Sequence, residues 1–336
     1  MQCAPGVVLY ALVKKEPLRD HANAMLFSTG IAPLISELLL RYPNPETVGF
    51  HPAGWALALA VGLITGFCLP AGMTHSAKVH KGCDLYSAAL PVGMSAFLLQ
   101  AILYQTMGVK LPGVSGDAAV GNAVFFNVFY CSVFGLCIVL SLLLGGTPKK
   151  YWKLLKDPDQ VTDFAQTYDN ATFLMNAGVY GLMIIGYYNL VGAPLNGVIF
   201  GVVMCMLATC NAGSHPGNVW PIMLGYVVAS YLFGWLSGLC EGAFAGAINA
   251  QAICIGLCYA NGLSPIADKY GWAYGMVAAA LHYCMVTTVP NLHGGLCLYN
   301  GGFTAALVCL LLVPSLERLF RTKFQRRVKN SERSGI

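Results

Sequence analysis

Apolar runs of roughly bilayer length follow one another along almost the whole chain, at 22–41, 51–73, 84–107, 117–145, 172–192, 195–212, 219–239, 242–262, 273–290 and 296–314. A helix needs about 20 mostly apolar residues to cross the hydrocarbon core, so this pattern predicts an all-α, polytopic transmembrane bundle of about ten spans. An earlier apolar stretch, 7–13, is too short to cross alone and reads as a helix remnant or an interfacial piece. One long hydrophilic linker, 146–171, divides the chain into a first transmembrane half (1–145) and a second (172–316), and a basic tail (317–336) closes it.

Composition narrows the class. The 336 residues are 57% hydrophobic and 10% charged, with a mean hydropathy of +0.63, whereas a soluble domain carries about 25% charged residues. A water-soluble globule is excluded, and no large extramembrane domain fits. The formal net charge of +5 is concentrated in connecting segments and the tail. That is a topology signal, and it argues against nucleic acid as a partner. Lys149, Lys150, Lys153 and Lys156 beside Tyr151 and Trp152 suit an interfacial cytoplasmic segment, and Arg318, Arg321, Lys323, Arg326, Arg327, Lys329 and Arg333 place the tail on the same side. Six apolar runs separate linker from tail, an even number, as that orientation requires. The expected location is therefore the cell (inner or plasma) membrane, multi-pass, with a cytoplasmic C-terminus. The 13 cysteines lie mainly inside apolar runs without a C-x-x-C pair, so they read as small hydrophobes, and no metal or other cofactor is called for.

Two motifs occur twice. Thr29-Gly30-Ile31-Ala32-Pro33-Leu34 matches Asn261-Gly262-Leu263-Ser264-Pro265-Ile266. Farther along, His80-Lys81-Gly82-Cys83-Asp84-Leu85-Tyr86 and His293-Gly294-Gly295-Leu296-Cys297-Leu298-Tyr299 both spell H-x-G-x-x-L-Y. Their shared order argues for a duplicated unit, repeat 1 over about 22–107 and repeat 2 over about 242–315. The mate lies seven apolar runs on from the first broken helix, an odd step, so the copies would cross the membrane in opposite senses. Inverted repeats with Gly/Pro-broken helices are the signature of many secondary transporters. Proline removes a backbone donor, and in lipid the freed carbonyls survive only against protein or a wet cavity.

Gly213-Ser214-His215-Pro216-Gly217-Asn218-Val219-Trp220-Pro221-Ile222, the Asn261–Ile266 motif and the stretch from Leu292 to Phe303 together resemble the bacterial membrane-protein family catalogued as domain of unknown function 1576. The resemblance is strongest over about 210–315 and weaker over 22–107. It implies a duplicated multi-pass protein and brings no activity with it.

The candidate solute pathway comprises Gly30, Pro33, Asn261, Gly262, Pro265, His293, Gly295, Tyr299 and Asn300, with His215, Asn218, Glu241 and Asn249 as secondary candidates. An imidazole can donate and accept, and glycines let backbone approach a ligand or another helix. Close helix packing around a hydrogen-bonded His293 is the competing reading. His80, flanked by Lys78 and Lys81, reads as an interfacial residue. No phosphate loop, H-E-x-x-H or G-x-S-x-G is present, so an enzyme is not expected. The expectation is a secondary transporter or permease for a small polar solute with proton or sodium coupling. Its rivals are a passive channel and a structural or signalling subunit, and self-association into a homo-oligomer is left open.

Overall fold

The computed structural model describes residues 3–44, 46–107, 121–156, 163–240 and 246–319, and every structural statement concerns these. They are helical throughout, with no strand among them. In chain order the helices are α1 (Ala4–Lys14), α2 (Ala22–Phe27), α3 (Ala32–Arg41), α4 (Pro52–His80), α5 (Ala89–Met107), α6 (Ala123–Leu143), α7 (Pro148–Leu154), α8 (Phe164–Thr167), α9 (Asn170–Leu190), α10 (Gly197–Leu207), α11 (Pro216–Leu239), α12 (Gln251–Ala260), α13 (Ser264–Tyr270), α14 (Trp272–Val286), α15 (Val289–Leu292) and α16 (Asn300–Leu319).

Each of the ten apolar runs contains helix, but length divides them. Six described helical stretches are long and apolar enough to cross a membrane: Leu18–Arg41, Pro52–His80, Ala123–Leu143, Asn170–Leu190, Pro216–Leu239 and Asn300–Arg318. The apolar stretches Ala89–Leu103, Gly197–Asn211 and Trp272–Val286 are shorter, as is Ala4–Lys14. Breaks at glycine and proline account for part of the difference. Pro33 and Pro265 each fall in the first turn of a new helix, where a missing N–H costs nothing, and each is preceded by one turn of 3-10 helix, Ser28–Ile31 or Asn261–Leu263. A third 3-10 turn, Ala208–Asn211, ends α10.

The chain forms two compact units that interleave along the sequence. The first comprises Met1–Lys81, Tyr86–Ser115 and Thr288–Leu307. Here α1 packs on α4 with backbones in contact at Gly6 and Gly66, since a Cβ on Gly6 would meet Phe67 N at 2.7 Å and one on Gly66 would run into the Cys3 carbonyl. Ile31, Leu34, Ile35 and Leu38 then close a core with Leu69 of α4 and Val92, Ala96 and Leu103 of α5. The second unit comprises Gly82–Leu85, Gly116–Thr287 and Val308–Ile336. In it α9 lies on α6, with Gly181 under the Phe134 ring, and α11 lies on α14, where Gly225 faces Ala279. Side-chain caps fix the helix starts: Asn122 for α6, Asp169 for α9 and Asn196 for α10.

Candidate functional site

In the first unit the 3-10 turn at Gly30 is held by the second H-x-G-x-x-L-Y motif. The Leu298 amide donates to the Gly30 carbonyl at 2.8 Å, and Tyr299 lies against Gly30 so closely that a Cβ there would overlap its ring and come within 2.7 Å of Val92 Cγ1. Tyr299 also meets Phe27 edge-on, with its hydroxyl 3.4 Å from Thr29 Oγ1. Glycine is thus required at position 30 by close approach. Gly295 is a different case. Nothing lies within 4 Å of a Cβ built there, and its φ of +73° shows that the requirement is conformational. Gly295 therefore turns the chain, whereas the sequence suggested close packing or ligand approach.

His293, at the end of α15, is fully buried, and its ring meets Phe303 edge-on at 5.1 Å between centroids. Neither ring nitrogen has a hydrogen-bond partner. Two unmet polar atoms in one buried ring cost about 1–3 kcal/mol each unless water or a ligand satisfies them. The competing picture of a hydrogen-bonded structural histidine fits His80 instead. His80 is 3% exposed although its lysine neighbours are exposed, and its Nε2 lies 2.8 Å from Ser87 Oγ. Asn300 is half-buried at the start of α16, where its carbonyl accepts from Thr304 Oγ1 at 2.9 Å.

The second unit holds the mate of this arrangement. The Leu85 amide donates to the Gly262 carbonyl at 3.0 Å, as Leu298 does to Gly30. Each 3-10 turn is therefore bonded by the H-x-G-x-x-L-Y segment of the other motif pair. Backbone conformation matches as well: Lys81 and Gly82 have φ of 52° and 73°, and Gly294 and Gly295 have 60° and 73°. Consecutive left-handed residues thus occur at the same two motif positions, three of the four being glycine.

Asn261 sits fully buried where two 3-10 turns meet. Its Oδ1 accepts from the Tyr180 hydroxyl at 2.7 Å and from Ser214 Oγ at 3.0 Å, and its Nδ2 donates to Thr209 Oγ1 at 2.9 Å. Asn176 reinforces the junction by donating to the carbonyls of Cys210 and Ser214, both at 2.9 Å. These bonds are those of a structural clasp across broken backbone. His215 and Asn218 form a reciprocal cap on α11: the Gly217 amide donates to His215 Nδ1, the His215 amide to Asn218 Oδ1, and Asn218 Nδ2 to Asp268 Oδ2 at 2.7 Å. Asn249 is exposed in the turn before α12, while the neighbouring Gln251 accepts from Asn196 at 2.7 Å. Glu241 lies outside the described residues.

Sequence reasoning missed Tyr180, Thr209 and Gln100. Gln100 could have been found, because a glutamine within an apolar run is costly in lipid. Tyr180 and Thr209 carry no comparable signal, since a hydroxyl in a span is common and its partner is distant in sequence.

Long apolar helices, 3-10 breaks at Gly-Pro motifs and glycine-mediated helix contacts together define a multi-helix membrane protein. The chain belongs to the family described as Protein of unknown function (DUF1576), whose model matches residues 1–105 and 145–318. Neither the curated proteins nor the solved structures searched yielded a match.

Proposed function

We propose that this protein is a secondary transporter or permease for a small polar solute, built from two inverted repeats and residing in the cell membrane with its linker and tail in the cytoplasm. The observation that carries the reading is the matched pair of turns: Gly30 bonded by Leu298 and Gly262 bonded by Leu85, each beside two left-handed residues. A duplicated, broken-helix element at corresponding positions is how many transporters expose backbone to a substrate at mid-membrane. Both ring nitrogens of His293 are buried without a hydrogen-bond partner, so the solute pathway is assigned to its surroundings.

The test is uptake into proteoliposomes containing the full chain, screened across small polar solutes under imposed proton or sodium gradients. Saturable uptake that responds to a gradient supports a coupled transporter. Non-saturating, gradient-independent flux reassigns the protein as a passive channel, and absence of flux for every solute refutes a transport role.

A further inference from the structure

Gln100 lies on the buried face of α5 that also carries Val92, Ala96 and Leu103, against Leu34, Ile35 and Leu38 of α3. It is 6% exposed, and its Oε1 has no hydrogen-bond partner. Seven residues earlier on the same helix is Gly93, which packs against Phe303, the ring that His293 meets edge-on. Two helical turns separate them, about 10 Å along the axis. Gln100 and the His293 ring thus both present buried polar atoms with unmet capacity near α5. His51 Nε2, just before α4, is a further buried atom of this unit without a hydrogen-bond partner, whereas His80 and Ser76 bond to Ser87 and Ser28 to the Met25 carbonyl.

The charged residues of this unit are arranged differently. None of its described Lys, Arg, Asp or Glu residues is buried, and Glu37, the most deeply placed acid, pairs with Arg41 at 3.2 Å. A charge brought to Gln100 or His293 would therefore meet dipoles only, at high desolvation cost. A neutral imidazole offers one donor and one acceptor, and Oε1 of Gln100 offers a further acceptor. That combination suits an uncharged molecule that both gives and receives hydrogen bonds.

We propose that Gln100 and His293 are successive hydrogen-bonding stations for an uncharged polar solute of polyol or amide type, a specification that rests on the transporter reading above. Burying unmet polar groups destabilises a fold, so a group kept for function and one kept for structure respond oppositely to apolar replacement. Gln100→Met and Gln100→Leu retain length or volume and remove the amide. Both are expected to raise the Tm of the purified full-length protein while lowering flux of the conducted probe about tenfold. Gln100→Asn should keep part of the flux.

Stopped-flow light scattering on proteoliposomes would use glycerol and urea as neutral probes, and sodium and methylammonium as cationic ones. Conduction of a neutral probe that falls in both apolar variants supports the proposal. Wild-type flux in those variants removes Gln100 from the pathway and overturns the inference without touching the transporter reading. Conduction of sodium or methylammonium with no movement of glycerol or urea overturns the neutral class, again leaving transport intact. A lowered Tm in both variants assigns Gln100 to structure and likewise overturns the proposal.

Discussion

Replacing Asn261 by leucine separates a structural clasp from a substrate contact, because the two roles differ in what the substitution leaves behind. The side chains are similar in volume, so the cost comes from stranded partners. Tyr180, fully buried, loses the acceptor 2.7 Å from its hydroxyl. Ser214 can turn toward Ser264 Oγ, 3.5 Å away, and Thr209 still donates to the Met206 carbonyl at 2.9 Å. The expected loss is about 2–4 kcal/mol, dominated by the stranded phenol. For a chain of 336 residues that lowers Tm by about 3–6 °C. Differential scanning fluorimetry in detergent would measure it. Tyr180→Phe alone should cost less, and the double variant should fall short of additive by about 1–2 kcal/mol, because removing both partners leaves nothing unpaired. An unchanged Tm for Asn261→Leu, or strict additivity, would refute the clasp and return Asn261 to the candidate solute pathway.

Replacing Pro33 or Pro265 by alanine should impair transport while leaving membrane insertion intact, since an uninterrupted helix is well tolerated in lipid; normal uptake by both variants would reduce the breaks to incidental kinks. Single cysteines placed in 149–156 and in 323–333 should react with an impermeant maleimide only from the cytoplasm, and one at 44–48 only from outside; labelling of linker and tail from opposite faces would overturn the inversion. In the linker, the hydrogen bond from Lys150 at 2.9 Å, with that from the Thr172 amide, lowers the Asp169 pKa to about 2. A depressed carboxylate stabilises the fold above its ordinary titration range, and that contribution is lost as pH falls through about 2. Carbon-13 NMR of the labelled aspartates should find its midpoint rising toward the ordinary range in Lys150→Ala, and an unmoved midpoint would show that the lysine is not the cause.

Much of the architecture could be read directly from the chain, because lipid makes hydrophobic length so strong a signal. The linker containing α7 and the restarts at Pro33 and Pro265 follow from residue type alone. Partners separated by hundreds of residues do not. Gly30 and Gly295 look alike in sequence, yet Gly30 is required by Tyr299 packing on it and Gly295 by its own φ. His80 shows the limit of neighbour-based reasoning: Lys78 and Lys81 are exposed, but helical geometry turns the imidazole between them inward to Ser87. The caps at His215 and Asn218 are visible as a motif, but cap and ligand site draw on the same residue types. Bond-by-bond geometry was needed to separate satisfied Asn261 from unsatisfied His293.

The pairing of each broken helix with the far motif also sets an order of biogenesis. Gly30 and Leu298 are 268 residues apart in the chain, and at bacterial or eukaryotic elongation speeds of roughly 5–20 residues per second the Gly30 carbonyl waits about 13–54 s for its donor to leave the ribosome. During that interval the first unit lacks residues 288–307, including the His293 ring and the Tyr299 side chain that covers Gly30. The N-terminal helices must therefore be held in the bilayer in an open form, and a nonsense mutation anywhere before Leu298 leaves both ends of the protein unfinished.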